Sequence, residues 1–457
     1  LRPSIPVLAA LILLPVPVSA APPEPASKIP SELTDYVGKE DKSFTWKVAA
    51  RKQKKNFLGK NVGTVYILEV VSQTWHKVVW DHKLYVFVPT NVKPQATMVL
   101  WNEGDAPEGE GAEDIGIMVA SQIKAPVAFL FGVPKQPLYG GKTEDALIAE
   151  SFVRYLTTED GSWPLLFPMV KSIVRGMDAV QAFAREEWKF EVKDFVIAGA
   201  SKRGWTAWLT AATGDKRVKA IAPLVIDTLN IPVQMVNQVR AFGRPSEMIK
   251  DYADRLLIPI PKTPAAARLW TIIDPWSYRD RITVPKMIVC GTNDPYWPLD
   301  ALNTYWDGLK GDKWILYVPN AGHFLCERDK NGQYERLPTR TLATVSAFCH
   351  AQVFDKPMPR VNCDMVCPAG AECLDVNLLC DVKPRAARVF SAEAKTRDFR
   401  QSYWEHSPLD MNDKKATCKV NLPKEGHRAT LLELEFDTDG MTYTLSSPLR
   451  ILDAPKK

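Results

Sequence analysis

The sequence predicts an α/β protein built on a mostly parallel central sheet flanked by helices, followed by a smaller β-rich C-terminal domain. Three observations lead there. Short apolar runs at 97–101, 127–131, 195–198, 218–226, 286–290 and 314–318 alternate with helical patterns at 143–157, 166–187, near 299–310 and at 338–353. Continuous apolar runs suit strands covered on both faces, and alternation with helices implies parallel pairing. From about residue 386 the helical pattern disappears, and Leu431-Leu-Glu-Leu-Glu-Phe436 alternates with period two. The third observation is a serine in Gly199-Ala-Ser201-Lys-Arg-Gly204, between the 195–198 run and a helical stretch at 205–212.

In chain order, Arg2 precedes an apolar run at 5–18 and the small residues Val18-Ser-Ala20, the grammar of a signal peptide at 1–20. The run carries Pro6, Pro15 and Pro17 and is too short for a comfortable span. The expectation is an exported protein, secreted or periplasmic, with no stable membrane span after removal of the leader. Residues 21–42 read as a loosely ordered lead-in, and 43–355 as the main α/β domain. Within it, 65–71 and 84–88 are β-branched and aromatic, an antiparallel pair at a sheet edge. Met169, Ile173, Met177, Val180 and Phe183 recur at helical spacing, as core packing requires. Residues 227–280 break the rhythm with prolines and aromatics, and are too long for an ordinary connection. They are expected to form a helical insertion over the site.

Four of the eight cysteines cluster between Cys363 and Cys380. With no histidine inside the cluster and no C-x-x-C, disulfides are favoured over zinc, and residues 356–385 read as a Cys-rich connector. Residues 386–457 read as a β-sandwich-like domain. The net charge of +5 is mild on 457 residues and no long basic run occurs, so nucleic acid is not an expected partner.

A serine on a tight strand-to-helix turn is how an α/β-hydrolase presents its nucleophile, although here Arg203 occupies the second glycine position of G-x-S-x-G and Gly204 follows it. A serine hydroxyl needs a base. Asp294 follows the 286–290 strand in Gly291-Thr-Asn-Asp-Pro295, and His323 follows the 314–318 strand in Asn320-Ala-Gly-His323. The order Ser201, Asp294, His323 is that of an α/β-hydrolase triad, with nucleophile, orienting acid and general base in turn. The oxyanion hole is expected from the backbone N–H of Lys202 and a second N–H near Asn102 or Glu103. Lys202 and Arg203 have two readings. Both turn away from the site, Arg203 pairing with a carboxylate beneath the turn, or one of them binds a substrate carboxylate. Trp205, Tyr296 and Trp297 are candidate apolar walls, with core packing as the alternative. No metal or organic cofactor is implied.

The segments Trp163-Pro-Leu-Leu-Phe-Pro-Met-Val-Lys-Ser-Ile-Val-Arg-Gly-Met-Asp178, Gly199-Ala-Ser-Lys-Arg-Gly-Trp205, Val225-Ile-Asp-Thr-Leu-Asn230, Asp274-Pro-Trp-Ser-Tyr278 and Pro319-Asn-Ala-Gly-His323 together resemble the PhoPQ-activated pathogenicity-related protein family. The resemblance spans roughly residues 30–355, with weaker similarity in the tail. It implies an exported α/β-hydrolase fold whose triad falls on Ser201, Asp294 and His323, and it brings no substrate with it. The expected function is hydrolysis of a small ester or a peptide through an acyl-enzyme. The alternative is a secreted signalling or virulence-associated protein that binds a cell-surface partner on the same scaffold.

Overall fold

Nine strands form the central sheet of the computed structural model, which describes residues 29–106, 109–368 and 371–455. The expected leader at 1–20 lies outside the described residues. Strands β1 (Thr45–Lys55), β2 (Asn61–Trp75) and β3 (Val78–Pro89) make an antiparallel edge. Six parallel strands follow: β4 (Thr97–Asn102), β5 (Val127–Phe131), β6 (Asp194–Ala200), β7 (Val218–Leu224), β8 (Lys286–Gly291) and β9 (Lys313–Val318). Their order across the sheet is β1-β2-β3-β5-β4-β6-β7-β8-β9. β6 therefore sits centrally, and the C-terminal ends of β6, β7, β8 and β9 lie along one edge, where open α/β sheets bind ligands.

The helices are α1 (Glu32–Gly38), α2 (Gly111–Ile123), α3 (Glu144–Thr158), α4 (Leu166–Phe183), α5 (Lys202–Ala212), α6 (Ile231–Phe242), α7 (Lys250–Ala253), α8 (Pro264–Ile273) and α9 (Thr339–Val353). Strand periodicity distributes them over two cores. Met98 and Leu100 of β4 join the core of α3, α4 and α5, whereas Val99 between them joins that of α2 and α9. Successive side chains point to opposite faces, so a sheet covered on both sides needs the unbroken apolar runs seen in the sequence.

Two segments differ from expectation. Residues 32–38, read as loose, form α1, and its Leu33 is fully buried. The 299–310 stretch forms only 3₁₀ turns at Ala301–Thr304 and Trp306–Gly308. Asp300, Asn303, Thr304 and Asp307 offer side-chain oxygens that compete with helix formation there, and Gly308 lowers propensity further.

The tail holds two antiparallel sheets. One orders β10 (Val361–Val366), β11 (Cys373–Cys380) and β14 (Lys415–Asn421); the other orders β13 (Glu405–Pro408), β12 (Ala386–Ala394), β15 (His427–Thr438) and β16 (Met441–Ser446), with β17 (Arg450–Asp453) also on β15. The Cys-rich segment thus supplies two strands of a tail sheet rather than a separate connector, and all eight cysteines are unpaired. β16 lies beside β9, where the Ser446 hydroxyl accepts the Tyr317 N–H at 2.9 Å, so the tail covers the exposed edge of the main sheet.

Loop-to-loop hydrogen bonds strengthen this docking. Asn320 donates to the Trp404 carbonyl (3.0 Å) and accepts the Trp404 N–H (2.6 Å), while Asn293 donates to the carbonyls of Phe399, Arg400 and Ser402. Trp404 is buried, so Asn320→Ala would strand a buried N–H and C=O. We predict a destabilisation of about 1–3 kcal/mol, read as a lower denaturant midpoint, with far-UV circular dichroism unchanged.

Candidate active site

The turn after β6 carries the unusual backbone of the site. Ser201 has φ 55° and ψ −128°, a left-handed setting that is uncommon for a side chain with a Cβ and costs on the order of 1–3 kcal/mol. Neighbouring strands impose it. The Ser201 N–H donates to the Leu224 carbonyl of β7 (2.8 Å), and the Ser201 carbonyl accepts the Trp205 N–H to open α5 (3.0 Å). The Asn102 side chain, at the end of β4, donates to the carbonyls of Ala198 (2.8 Å) and Arg203 (3.2 Å), tying both flanks of the turn together.

The glycines explain the departure from the usual spacing. A Cβ on Gly199 would lie 2.5 Å from Asn102 Nδ2, and one on Gly204 would lie 2.7 Å from Ile226 and 3.0 Å from the Leu224 carbonyl oxygen. Closest approach to β7 therefore falls on Gly204. Position 203 points elsewhere, and there an arginine is useful: its Nε donates to the Val133 carbonyl (2.7 Å), and both terminal nitrogens grip the Glu144 carboxylate (2.6 and 2.7 Å).

Of the two readings of this arginine, the structure shows the paired one; Arg203 is buried and is not free to bind substrate. Lys202 Nζ contacts Glu144 (2.9 Å) and Asp145 (3.3 Å). Burial would raise the Glu144 carboxyl, but the Arg203 hydrogen bonds and the two cations outweigh it and hold the group at about 2.

Asp294 lies three residues beyond β8, and one of its oxygens accepts the Tyr296 N–H (2.8 Å). The other lies 2.8 Å from His323 Nδ1. A carboxylate only accepts, so Nδ1 carries the proton, and in the neutral imidazole it is Nε2 that presents a lone pair. The Tyr296 ring stacks on His323, with centroids 4.1 Å apart and planes at 29°, which limits rotation of the imidazole.

Ser201 and His323 line one cavity of about 40 Å³, together with Lys202, Trp205, Tyr296 and Trp297. Lys202 heads α5, where a helix has no internal acceptor for its N–H. The structure places the other expected oxyanion donors differently. The Glu103 N–H is committed to the Leu130 carbonyl (2.9 Å), Asn102 serves the turn through its side chain, and neither residue lines the cavity.

Sequence reasoning missed several residues here. Asp145 lines the cavity and accepts the Tyr252 hydroxyl (3.1 Å). Asp227, just past β7, is buried beside Cys290 and Tyr305, both of which donate to it; burial pushes its carboxyl up to about 6, and the charge of Asp294 adds to the rise. Asp274 accepts the N–H groups of Asn230, Ile231 and Trp276, fixing the start of α6 to the end of α8. The only sequence signal for Asp227 and Asp274 was membership in the Val225–Asn230 and Asp274–Tyr278 motifs, which carry no geometry, and Asp145 lies in neither.

Sheet order, the turn after β6 and the residues after β8 and β9 define an α/β-hydrolase fold. Residues 33–400 match the PhoPQ-activated pathogenicity-related protein family, and the chain belongs to that family. The match extends beyond the main domain into the tail as far as Arg400, whose carbonyl accepts from Asn293. The chain is also 33% identical over 316 residues to autocrine proliferation repressor protein A of Dictyostelium discoideum; the aligned region is 66% of this chain and 62% of that protein's length.

Among solved structures, acetyl xylan esterase 1 from Thermoanaerobacterium aligns with a TM-score of 0.44 at 15% identity, over 64% of this chain and 87% of the esterase. An acetyl xylan esterase from Paenibacillus sp. R4 aligns with a TM-score of 0.46 at 13% identity, over 70% and 92%.

The depressed Glu144 carboxyl gives a pH test. Its folded pKa lies below the ordinary value of 4.5, so the stability it contributes is complete above that value and is lost as pH falls toward about 2. In urea titrations the wild-type midpoint is expected to fall more steeply over this acid range than that of Glu144→Gln. Parallel curves would show that the pairing does not govern acid stability.

Proposed function

We propose that this chain is an exported serine hydrolase that cleaves an ester or amide bond through an acyl-enzyme. One observation carries the proposal: a serine held at positive φ and an Asp294-buttressed histidine open into the same cavity at the C-terminal edge of the sheet. His323 Nε2 takes the Ser201 proton as Oγ attacks the acyl carbon. Asp294 holds the imidazole in the required tautomer and stabilises the imidazolium that forms. The developing oxyanion is met by the Lys202 N–H at the start of α5, where the helix dipole adds favourable charge. His323 then protonates the leaving group, and water deacylates the enzyme by the reverse proton route.

A small-molecule ester is the favoured substrate class, because the cavity at Ser201 is narrow and mostly apolar; a peptide is the alternative. Export rests on the character of residues 1–20. Among the described residues no helix is long and apolar enough to cross a membrane.

A second reading follows from the likeness to a protein named as an autocrine proliferation repressor. In it the chain is an extracellular signal that binds a cell-surface partner and keeps the hydrolase fold as scaffold.

A fluorophosphonate probe separates the two readings. Folded wild-type protein is expected to label on Ser201, with Ser201→Ala inert. Asp294→Asn is expected to reduce kcat toward a test ester by about 10⁴-fold, through loss of the correct histidine tautomer. Failure of folded wild type to label would favour the scaffold reading.

A further inference from the structure

Two spaces of different character meet at His323 and Tyr296. The first is the cavity of about 40 Å³ that Ser201 also lines; its other walls include Ile226, Ile231, Ile249 and Ile258. The second is a cleft of about 660 Å³ that reaches His323 but not Ser201, and carries Asn293, Arg328, Asp398 and Arg400.

Chemistry assigns a role to each. The acyl carbon bonds to Ser201 Oγ, so the acyl substituent occupies the space beside Ser201. The leaving group takes its proton from His323, so it occupies the space on the histidine side. The narrow apolar cavity is then the acyl site, and the wider cleft, which carries more polar surface than the cavity, receives the alcohol or amine.

A third space sets the limit on acyl length. An apolar groove of about 1220 Å³ runs between α6 and the Pro259–Pro264 segment, with Val236, Val239 and Ile260 among its walls. Met235 and Trp270 line both this groove and the acyl cavity. They are the partition between a cavity of about 40 Å³ and a space roughly thirty times larger. For scale, an apolar cavity of about 150 Å³ accommodates benzene, so the narrow side holds roughly one or two carbons. Trp270 is buried and held edge-on by Phe152, with centroids 5.8 Å apart. Met235 is only partly buried, so it is the member of the wall that can be shortened with least damage.

We propose that this site is selective for short acyl groups, and that Met235, backed by Trp270, sets the length limit by closing the acyl cavity off from the groove. The proposal rests on the serine-hydrolase reading and specifies its substrate class. Shortening Met235 joins the two spaces, and a longer chain then has an apolar path to follow.

The test is a series of 4-nitrophenyl esters, from acetate through butyrate and hexanoate to octanoate, with Ser201→Ala as background. Wild type is expected to show its highest kcat/KM on acetate, falling by about tenfold or more by hexanoate. Met235→Ala is expected to raise the hexanoate-to-acetate ratio by about tenfold or more, and the volume-conserving Met235→Leu to keep the wild-type profile. A wild type that prefers hexanoate or octanoate overturns the proposal, as does a folded Met235→Ala with an unchanged ratio. If that variant does not fold, the wild-type profile alone decides. Ser201-dependent turnover with no dependence on chain length defeats the length limit and leaves the hydrolase reading standing; no Ser201-dependent turnover of any ester defeats both.

Discussion

The site depends on holding Ser201 at a backbone conformation that an isolated chain would leave. A φ of 55° persists only where the surroundings over-determine it. Here they do so from three directions. β7 receives the Ser201 N–H through the Leu224 carbonyl, Asn102 of β4 binds a carbonyl on each side of the turn, and Arg203 anchors the start of α5 to Val133 and Glu144. Glu144 itself sits at φ 51°, with its carboxylate shared among Arg203, Lys202 and Gln136. Strain at the serine is thus balanced by a multiply bonded ion pair in which Arg203 is buried and Glu144 only partly so; removal of Glu144 would leave the buried guanidinium without its carboxylate.

This clamp explains why two cations flank the serine without making the site cationic. Arg203 is spent on structure. Lys202 is neutralised by Glu144 and Asp145, and it contributes to the cavity wall chiefly through its position at the head of α5. The surrounding architecture is assembled by similar cross-links. Asp274 joins the ends of the insertion, while Asn293 and Asn320, which neighbour the acid and histidine loops, bind the tail. Asp398 and Arg400 from that tail line the cleft beside His323. The tail is therefore both an edge cover for β9 and a wall of the candidate site.

Much of this was legible in the sequence where one physical rule dominates. Strands covered on both faces must be apolar throughout, so β4 to β9 stood out, and the order of Ser201, Asp294 and His323 could be set against the strand ends. What was not legible depends on contacts between distant segments. Arg203 meets Glu144 across 59 positions, and no local pattern names that partner. Glu103 looked available for an oxyanion, but its N–H is consumed by Leu130 because pairing with β5 continues past the end of β4. The cysteine cluster misled through composition. In Cys373-Leu-Asp-Val-Asn-Leu-Leu-Cys380 the inward residues are Leu374, Val376, Leu378 and Cys380, a period-two strand that the cysteine count obscured.

On the proposed mechanism the strained turn delivers Ser201 as a nucleophile to an acyl group. Rapid-quench mass spectrometry of the protein mixed with 4-nitrophenyl acetate tests this most directly. A transient acetyl group is expected on the peptide containing Ser201, accumulating in wild type within the first turnover and absent from His323→Ala. Acetylation on other residues only, or on Ser201 to the same extent and at the same rate without His323, would contradict it.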